Sequence, residues 1–154
     1  MVLIFDLDGT LADCSHRRHM VEADKPDFKA FYEACGDDKP IIATSHVYAS
    51  LKKVFWAQDI VIWSGRCESV RRQTEWWLYS FIDTSVHWNE PRLKMRPEGD
   101  STPDDELKER WLDEHLAAGG KGVDMVFDDR PKVVRMWQRR GIFVFNCAQS
   151  DKEF

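Results

Sequence analysis

Two aspartates, Asp6 and Asp8, close the apolar run Val2 to Phe5, and Gly9, Thr10 and Leu11 follow them. In extended backbone, residues i and i+2 point to the same side, so the D-x-D-G-T sequence sets two carboxylates side by side where a buried strand runs out. Such a pair repels unless a cation lies between its members or one of them keeps a proton, and either arrangement is chemically useful. Gly9 lets the chain turn sharply where bulk would block a ligand. A plain strand end followed by an Asp-Gly turn would leave the same letters.

Three further segments put reactive groups at a strand end or a helix start. Val61 to Trp63 leads into Ser64, Gly65 and Arg66, which offer a hydroxyl and backbone amides near a predicted helix N-terminus, a natural cradle for phosphate. Lys108 follows Asp104 by one helical turn, so an i,i+4 pair can fix the direction of its ammonium. Val126 and Phe127 end a third apolar run with Asp128, Asp129 and Arg130. Taken singly, these segments also read as a helix cap, a surface ion pair and a turn.

The elements that must position these residues alternate in type. Val2–Phe5, Asp59–Trp63, Val123–Phe127 and Ile142–Phe145 are short continuous apolar runs, the pattern of strands covered on both faces. Helical stretches lie between them, at Ser45–Phe55, Cys67–Ser80, Pro103–Leu116 and Pro131–Arg140. Thr102 can cap the third, Pro103 suits its first turn, and Asp104, Asp105 and Glu106 place acid at the positive end of its dipole. Leu107, Trp111, Leu112 and Leu116 share one face of that helix, and Gly119, Gly120 and Gly122 end it. Val86–Trp88, continued by Leu93–Met95, reads as a further strand split by Pro91. The polar stretch from Asp13 to Lys39, with a short helix over Asp27–Cys35, fits an insertion over the end of the sheet. The expected architecture is α/β: one Rossmann-like core with a central, mainly parallel sheet and a small cap inserted after the first motif, at about residues 13–45.

With 154 residues and a formal charge of −5, the chain has the size of one domain, here residues 1–154. No apolar run approaches the roughly 18–20 residues that span a bilayer, and no basic leader precedes an apolar stretch at the N-terminus. Neither a membrane span nor a secretory signal is expected. The four cysteines, Cys14, Cys35, Cys67 and Cys147, are scattered, which suits reduced thiols in a cytoplasm. His16 and His19 beside Cys14 lack a fourth ligand for a metal and read as insertion residues. A pI near 5.5 argues against coating long duplexes, but not against binding one nucleotide or one strand end.

In order and kind, Asp6 to Thr10, Ser64, Lys108, and Asp128 with Asp129 resemble the four motifs of the haloacid dehalogenase (HAD)-like phosphatases. The separations are 58 residues from Asp6 to Ser64, 44 to Lys108 and 20 to Asp128. They leave room for a modest insertion after the first motif and none for a large cap. Within the superfamily the chain is most similar to the 3'-phosphatase domain of bacteriophage polynucleotide kinase-phosphatase. That likeness is carried also by Arg66, by Arg96 with Gly99 and Asp100, by Asp104 and Asp105, by Arg130, and by Val133, Val134, Met136, Trp137 and Gly141. Two segments depart from it. Ala12–Lys53 diverges and is somewhat longer, and Thr102-Pro103 stands where the family is more basic. No G-x-x-x-x-G-K-[ST] loop occurs in these residues, so the chain reads as a free-standing phosphatase, in a host cytoplasm if phage-encoded.

The resemblance implies roles. Asp6 is the nucleophile that forms an aspartyl-phosphate, Asp8 the general acid and base, and Ser64 and Lys108 hold the transferring oxygens. Magnesium is held by Asp6, the backbone carbonyl of Asp8, Asp128, and Asp129 directly or through water. Thr10, Arg17, Gly65, Arg66, Arg96 and Asp104 are the expected substrate-binding residues. The expected substrate is the 3'-end of a nucleic acid, a cyclic 2',3'-phosphate being left open. The alternative is a (deoxy)nucleoside 5'-monophosphate, and a phosphate-binding module without turnover is the third reading. Arg66, Arg71, Arg72, Arg92, Lys94 and Arg96 form either a basic rim or ordinary solvated charge. Trp63, Trp111 and Trp137 are expected in the core, and Trp76, Trp77 and Trp88 as candidates to stack on a base. No membrane or required protein partner is expected, and a homo-oligomer is left open.

Overall fold

The computed structural model describes residues 2–55, 59–84 and 93–149. In chain order these form β1 (Val2–Phe5), β2 (Ala12–Asp13), α1 (His19–Glu22), α2 (Phe28–Glu33), β3 (Lys39–Pro40), α3 (Ile42–Val54), β4 (Ile60–Cys67), α4 (Arg71–Phe81), β5 (Leu93–Arg96), α5 (Asp104–Ala117), β6 (Val123–Asp128), α6 (Pro131–Arg139) and β7 (Phe143–Asn146). Five strands pair in the order β5-β4-β1-β6-β7, every pair parallel. The chain leaves β1 first toward β4 and β5, then returns to its other side through β6 and β7. The C-terminal ends of β1, β4 and β6 therefore flank a switch in strand order, the place where open α/β sheets bind ligands.

Alternation along each strand sorts the core into two layers. Leu3 and Phe5 of β1 join Ile62, Met95 and Phe127 on the face covered by Tyr48 of α3 and by Trp77 and Leu78 of α4. Val2 and Ile4 join Trp63 and Val126 on the opposite face, under Leu107, Trp111 and Leu112 of α5 and Val133, Met136 and Trp137 of α6. Phe5, Phe127 and Phe145 stack across β1, β6 and β7, with centroids 4.3 and 4.6 Å apart. Because Phe5 pairs in register with Phe127, the residues that follow them, Asp6 and Asp128, emerge abreast.

The observed bounds correct several expectations. β4 does not stop at Trp63 but runs through Ser64, Gly65 and Arg66 to Cys67, with an irregular register against β5 after Ser64. A single 3-10 turn, Glu68–Val70, follows, and α4 starts at Arg71. Residues 64–66 are thus extended chain, and no helix N-terminus lies there to cradle phosphate. α5 starts at Asp104 with Pro103 at the cap position and no side-chain cap; the carbonyl of Thr102 accepts a hydrogen bond from Arg96 instead. Leu116, expected on the buried face of α5, is exposed. α3 starts at Ile42, three residues early.

The polar segment after the first motif is an insertion, as expected, outside the five-stranded sheet. Its α2 is capped by Asp27, which accepts from the Ala30 amide, and β2 and β3 pair antiparallel to close its two ends. Val86–Trp88, Pro91 and Arg92 lie outside the described residues. No helix among the described residues is long and apolar enough to cross a membrane.

Candidate active site

Three groups of buried polar side chains meet at the C-terminal ends of the strands. The first is built on β1 and β6. Asp6 follows β1 and is locked to β6 by its amide, which donates to the Phe127 carbonyl at 2.9 Å. Oxygens of Asp6, Asp128 and Asp129 lie within 4.8 Å of one another, all three residues being buried. Lys108, on the first turns of α5, reaches into this cluster and donates to Asp6 Oδ1 at 2.6 Å and to Asp128 Oδ2 at 2.7 Å. Burial disfavours its charge, but Asp128, Asp6 and Asp104 outweigh that and raise its proton affinity above the usual lysine value. Burial pushes the Asp6 carboxyl well above the ordinary range; Lys108 pulls it back, while Asp128 and Asp129 push further up. Burial and Asp128 push Asp129 up to about 6.

The Lys108 ammonium bonds two of these three acids, and Oδ1 of Asp129 is buried with no hydrogen-bond partner among the described residues. A surplus of buried carboxylate oxygen with an unpartnered lone pair is the donor set of a hard divalent cation. Gly9 makes the set possible: at φ 87°, a Cβ on it would stand 2.0 Å from Oδ2 of Asp129.

The second group surrounds Asp8, whose carboxylate is held by two arginines. The Leu7–Ala12 turn that carries it is wound tightly, the amides of Leu11 and Ala12 both donating to the Leu7 carbonyl. Asp8 Oδ1 accepts from Arg17 Nη2 and Arg66 Nη2, each at 2.6 Å. Burial alone would raise the Asp8 pKa, but the charges of Arg66 and Arg17 prevail and hold it to about 2. Asp38, whose side chain is fully buried, shares those two nitrogens with Asp8, accepting from Arg17 Nη2 at 2.7 Å and Arg66 Nη2 at 2.6 Å, and takes Arg17 Nε at 2.8 Å as well.

The third group joins β4, β5 and α5. Arg96 donates through Nε to the Gly65 carbonyl at 3.0 Å and pairs through Nη2 with Asp104. The other oxygen of Asp104 pairs with Arg130. A Cβ at Gly65 would lie 2.6 Å from Asp104 Oδ1, so only glycine lets the carboxylate approach the strand. Tyr32 of α2 also donates to the Gly65 carbonyl, at 3.3 Å. The Arg130 guanidinium is raised above its usual range; burial opposes the charge, and Asp104, Asp6, Asp129 and Asp8 favour it.

All the sequence-expected site residues are therefore brought to one edge of the sheet, Arg17 included, although it sits in the divergent segment. The Asp8 carboxylate, expected among the metal-binding residues, is instead committed to Arg17 and Arg66. Ser64 is fully buried and its Oγ accepts from the Arg66 amide at 3.2 Å. Thr10 is fully buried with Oγ1 unpartnered among the described residues.

Three expectations change. No Asp104–Lys108 hydrogen bond forms, because the stronger acid cluster draws the ammonium inward and two arginines take Asp104. The basic rim does not form as a unit: Arg66 and Arg96 belong to the site, Arg71 pairs with Glu68 and Glu75, and Lys94 pairs with Glu114. Trp76 is exposed, whereas Trp77 is buried and donates through Nε1 to the Asp38 carbonyl at 2.7 Å. Trp63, Trp111 and Trp137 are in the core. His16 sits against Asp38 at 2.8 Å. Asp38, Arg130 and Tyr32 were given no role by sequence reasoning. Arg130 was signalled by its place after Asp128 and Asp129; Asp38 is one acid among several in a polar run and had no local signal.

A parallel Rossmann-like sheet with D-x-D-G-T after its central strand, and a lysine and an aspartate pair on the neighbouring elements, defines a HAD-fold phosphatase. The fold superposes on a hydrolase, the haloacid dehalogenase-like family protein SP0104 from Streptococcus pneumoniae, with TM-score 0.53 over 94% of this chain and 83% of that one, at 11% identity. More narrowly, residues 1–152 match the polynucleotide kinase PNKP phosphatase domain, and the chain belongs to that family.

It is 32% identical over 155 residues, 99% of its length, to a protein of Autographa californica nuclear polyhedrosis virus assigned as a bifunctional polynucleotide kinase/RNA ligase. Among solved structures, it matches a chain of the Pnkp1/Rnl/Hen1 RNA repair complex with TM-score 0.71 and 25% identity over 98% of its length. A second structure of the Pnkp1/Rnl/Hen1 complex gives TM-score 0.70 at the same identity. The chain spans 20% of the viral relative and 43% and 47% of the two structural ones.

Proposed function

We propose that this chain is a magnesium-dependent phosphomonoesterase that removes 3'-phosphate from nucleic-acid ends through an aspartyl-phosphate on Asp6. The observation that carries the chemistry is the division of labour between the two aspartates of one turn: Asp6 lies against Lys108 and two further acids, while Asp8 faces guanidiniums. One turn thus places its two carboxyls in different surroundings, an ammonium and acids for Asp6 and two guanidiniums for Asp8.

Asp6 attacks phosphorus in line and the ester bond to the leaving oxygen breaks. Asp8 gives that oxygen its proton, then takes one from the water that cleaves the aspartyl-phosphate and releases inorganic phosphate. In the free site Asp8 is ionised, which suits the base half. A phosphate dianion competes for Arg17 and Arg66, and each bond it takes weakens their hold on Asp8 and raises its proton affinity for the acid half. Lys108 and the Ser64 hydroxyl stabilise charge on the transferring oxygens. Asp6, Asp128, Asp129 and the Asp8 carbonyl would hold magnesium, which when bound offsets repulsion between a carboxylate and the phosphate dianion. Residues 13–45 serve as the small cap and supply Arg17.

The polynucleotide kinase and RNA repair relatives support a nucleic-acid end as substrate. The test is phosphate release, with magnesium, from a 3'-phosphorylated oligonucleotide, its 5'-phosphorylated twin and a panel of 3'- and 5'-mononucleotides, with Asp6→Asn as the blank. Preference for the 3'-phosphorylated strand is the expected result. Preference for 5'-mononucleotides would replace the end-healing reading with a nucleotidase and leave the catalytic roles standing.

A further inference from the structure

Arg17 and Arg18 are neighbours on the tight 3-10 turn that follows β2, where consecutive side chains point about 120° apart, and they part accordingly. Arg17 is fully buried against Asp8. Arg18 is half-buried and lines a cleft of about 130 Å³ together with Gly9, Ser15, Ile41, Asp129 and Gln149. Asp129 belongs to this cleft and to the acid cluster alike, its oxygen within 4.8 Å of one on Asp6, so the cleft begins beside the nucleophile. Asp129 and Gln149 follow β6 and β7, which puts the cleft on that side of the switch in strand order, whereas Arg66 and Arg96 stand on the β4 and β5 side.

Among the described residues that line the cleft, Arg18 is the only cation. Two carboxylates also line it, and each has a partner or a task of its own: Asp13 accepts from the Ser15 amide at 2.9 Å, and Asp129 belongs to the acid cluster. Burial and Asp128 raise the proton affinity of Asp129, and the charge of Arg18 is among those that pull it back. A guanidinium beside a polar cleft recognises phosphate by charge and by its forked donors. The volume decides how much of a ligand enters. Pockets for whole small molecules run to roughly 300–1,000 Å³. At about 30 Å³ per water, this cleft holds about four waters, room for one phosphate group and not for a nucleoside.

We propose that this cleft, with Arg18 as its cation, binds a second phosphate of the substrate, the one on the 5' side of the nucleoside whose 3'-phosphate Asp6 attacks. A phosphate at that place has two sources, a phosphodiester of a strand or the terminal group of a nucleoside 3',5'-bisphosphate, and Arg18 recognises what they share. A nucleoside 3'-phosphate alone leaves the cleft to water. The assignment rests on the phosphatase reading above.

The experiment measures kcat/KM, with magnesium, for the wild type and Arg18→Gln on uridine 3'-phosphate, uridine 3',5'-bisphosphate and the dinucleotide UpUp, each also in its deoxy form, counting only loss of the 3'-phosphate. In the wild type, a second phosphate should raise kcat/KM roughly 10- to 100-fold, the worth of one hydrogen bond to a charged group. Arg18→Gln should cut that advantage to under about threefold and change the 3'-monophosphate by less than that. On UpUp, the fall of log kcat/KM with log salt should be shallower in the variant by about 0.7, one phosphate contact on a single strand. An advantage confined to UpUp or to the bisphosphate supports the assignment and names the source. Equal wild-type values on all three, or an equal loss on all three in the variant, would overturn it. If Arg18→Gln does not fold, Arg18→Lys, which keeps the charge without the fork, should reduce the advantage at least about threefold, and an unchanged advantage counts against the assignment. Wild-type enzyme inactive on all three would instead remove the phosphatase reading, and this assignment with it.

Discussion

At Gly9 the backbone takes φ 87°, and a Cβ placed there would meet Oδ2 of Asp129 at 2.0 Å. Two costs coincide in Gly9→Ala: an L-residue forced into left-handed backbone, and displacement of a carboxylate from the acid cluster. The variant should lose about 1–3 kcal/mol of stability, typical of one strained residue, and should bind magnesium more weakly. Urea unfolding and a magnesium titration check the two effects separately. Asp8→Asn should keep the fold but lower kcat on a nucleoside phosphate by about 10²–10⁴-fold, the usual share of a general acid, as a steady-state assay would show. The sequence carried these residues legibly because motif chemistry is local: two acids on one extended turn, or two at a strand end, announce themselves by spacing. Asp38 was not legible, since its partners lie 21 and 28 residues away and nothing near it sets it apart from Asp37.

The strands of the sheet were readable as apolar runs, but their ends were not, and it is the ends that carry chemistry. Ser64-Gly65-Arg66 looks like a turn into a helix because serine and glycine favour caps and turns. It stays extended because Arg96 and Tyr32 both donate to the Gly65 carbonyl and because Arg66 is drawn inward by Asp8 and Asp38. Those are tertiary forces, which override local preference. The layers below were set by alternation alone, and the Phe5–Phe127–Phe145 stack shows what it accomplishes: it holds β1, β6 and β7 in register directly beneath Asp6 and Asp128. Phe127→Ala removes the middle ring. The expected cost is about 3–5 kcal/mol, as for other buried aromatic truncations, measurable by denaturant unfolding. Activity should fall by more than the loss of folded protein explains, since the two carboxylates no longer emerge abreast.

Across the whole molecule the site stores charge that the fold alone does not balance. Asp129 has its pKa raised to about 6 and Asp6 is raised as well, so in the folded chain both hold protons that the unfolded chain has already released. The unfolded chain therefore binds fewer protons than the folded one, for Asp129 between about pH 4 and pH 6, and the linkage relation makes stability from these groups fall as pH rises. Asp8 works in the opposite sense and at lower pH: its depressed pKa of about 2 gives stability that is present above the ordinary carboxyl range and disappears only as pH falls toward 2. The two windows do not overlap, so the descent from pH 4 to pH 7 belongs to the acid cluster. A divalent cation that binds the ionised cluster should reverse it. In thermal unfolding without metal, the midpoint should drop between pH 5 and pH 7. Magnesium at about a hundred times its Kd should restore roughly 2.7 kcal/mol at pH 7, a rise of some 5–10 °C for a chain of this size. At pH 5 the rise should be much smaller, because protons occupy the same oxygens. Equal shifts at both values would mean that the cation binds elsewhere. Asp128→Asn, which removes one carboxylate from the cluster, should flatten the pH descent and abolish most of the magnesium effect together, since both arise from the same crowding of buried carboxylates.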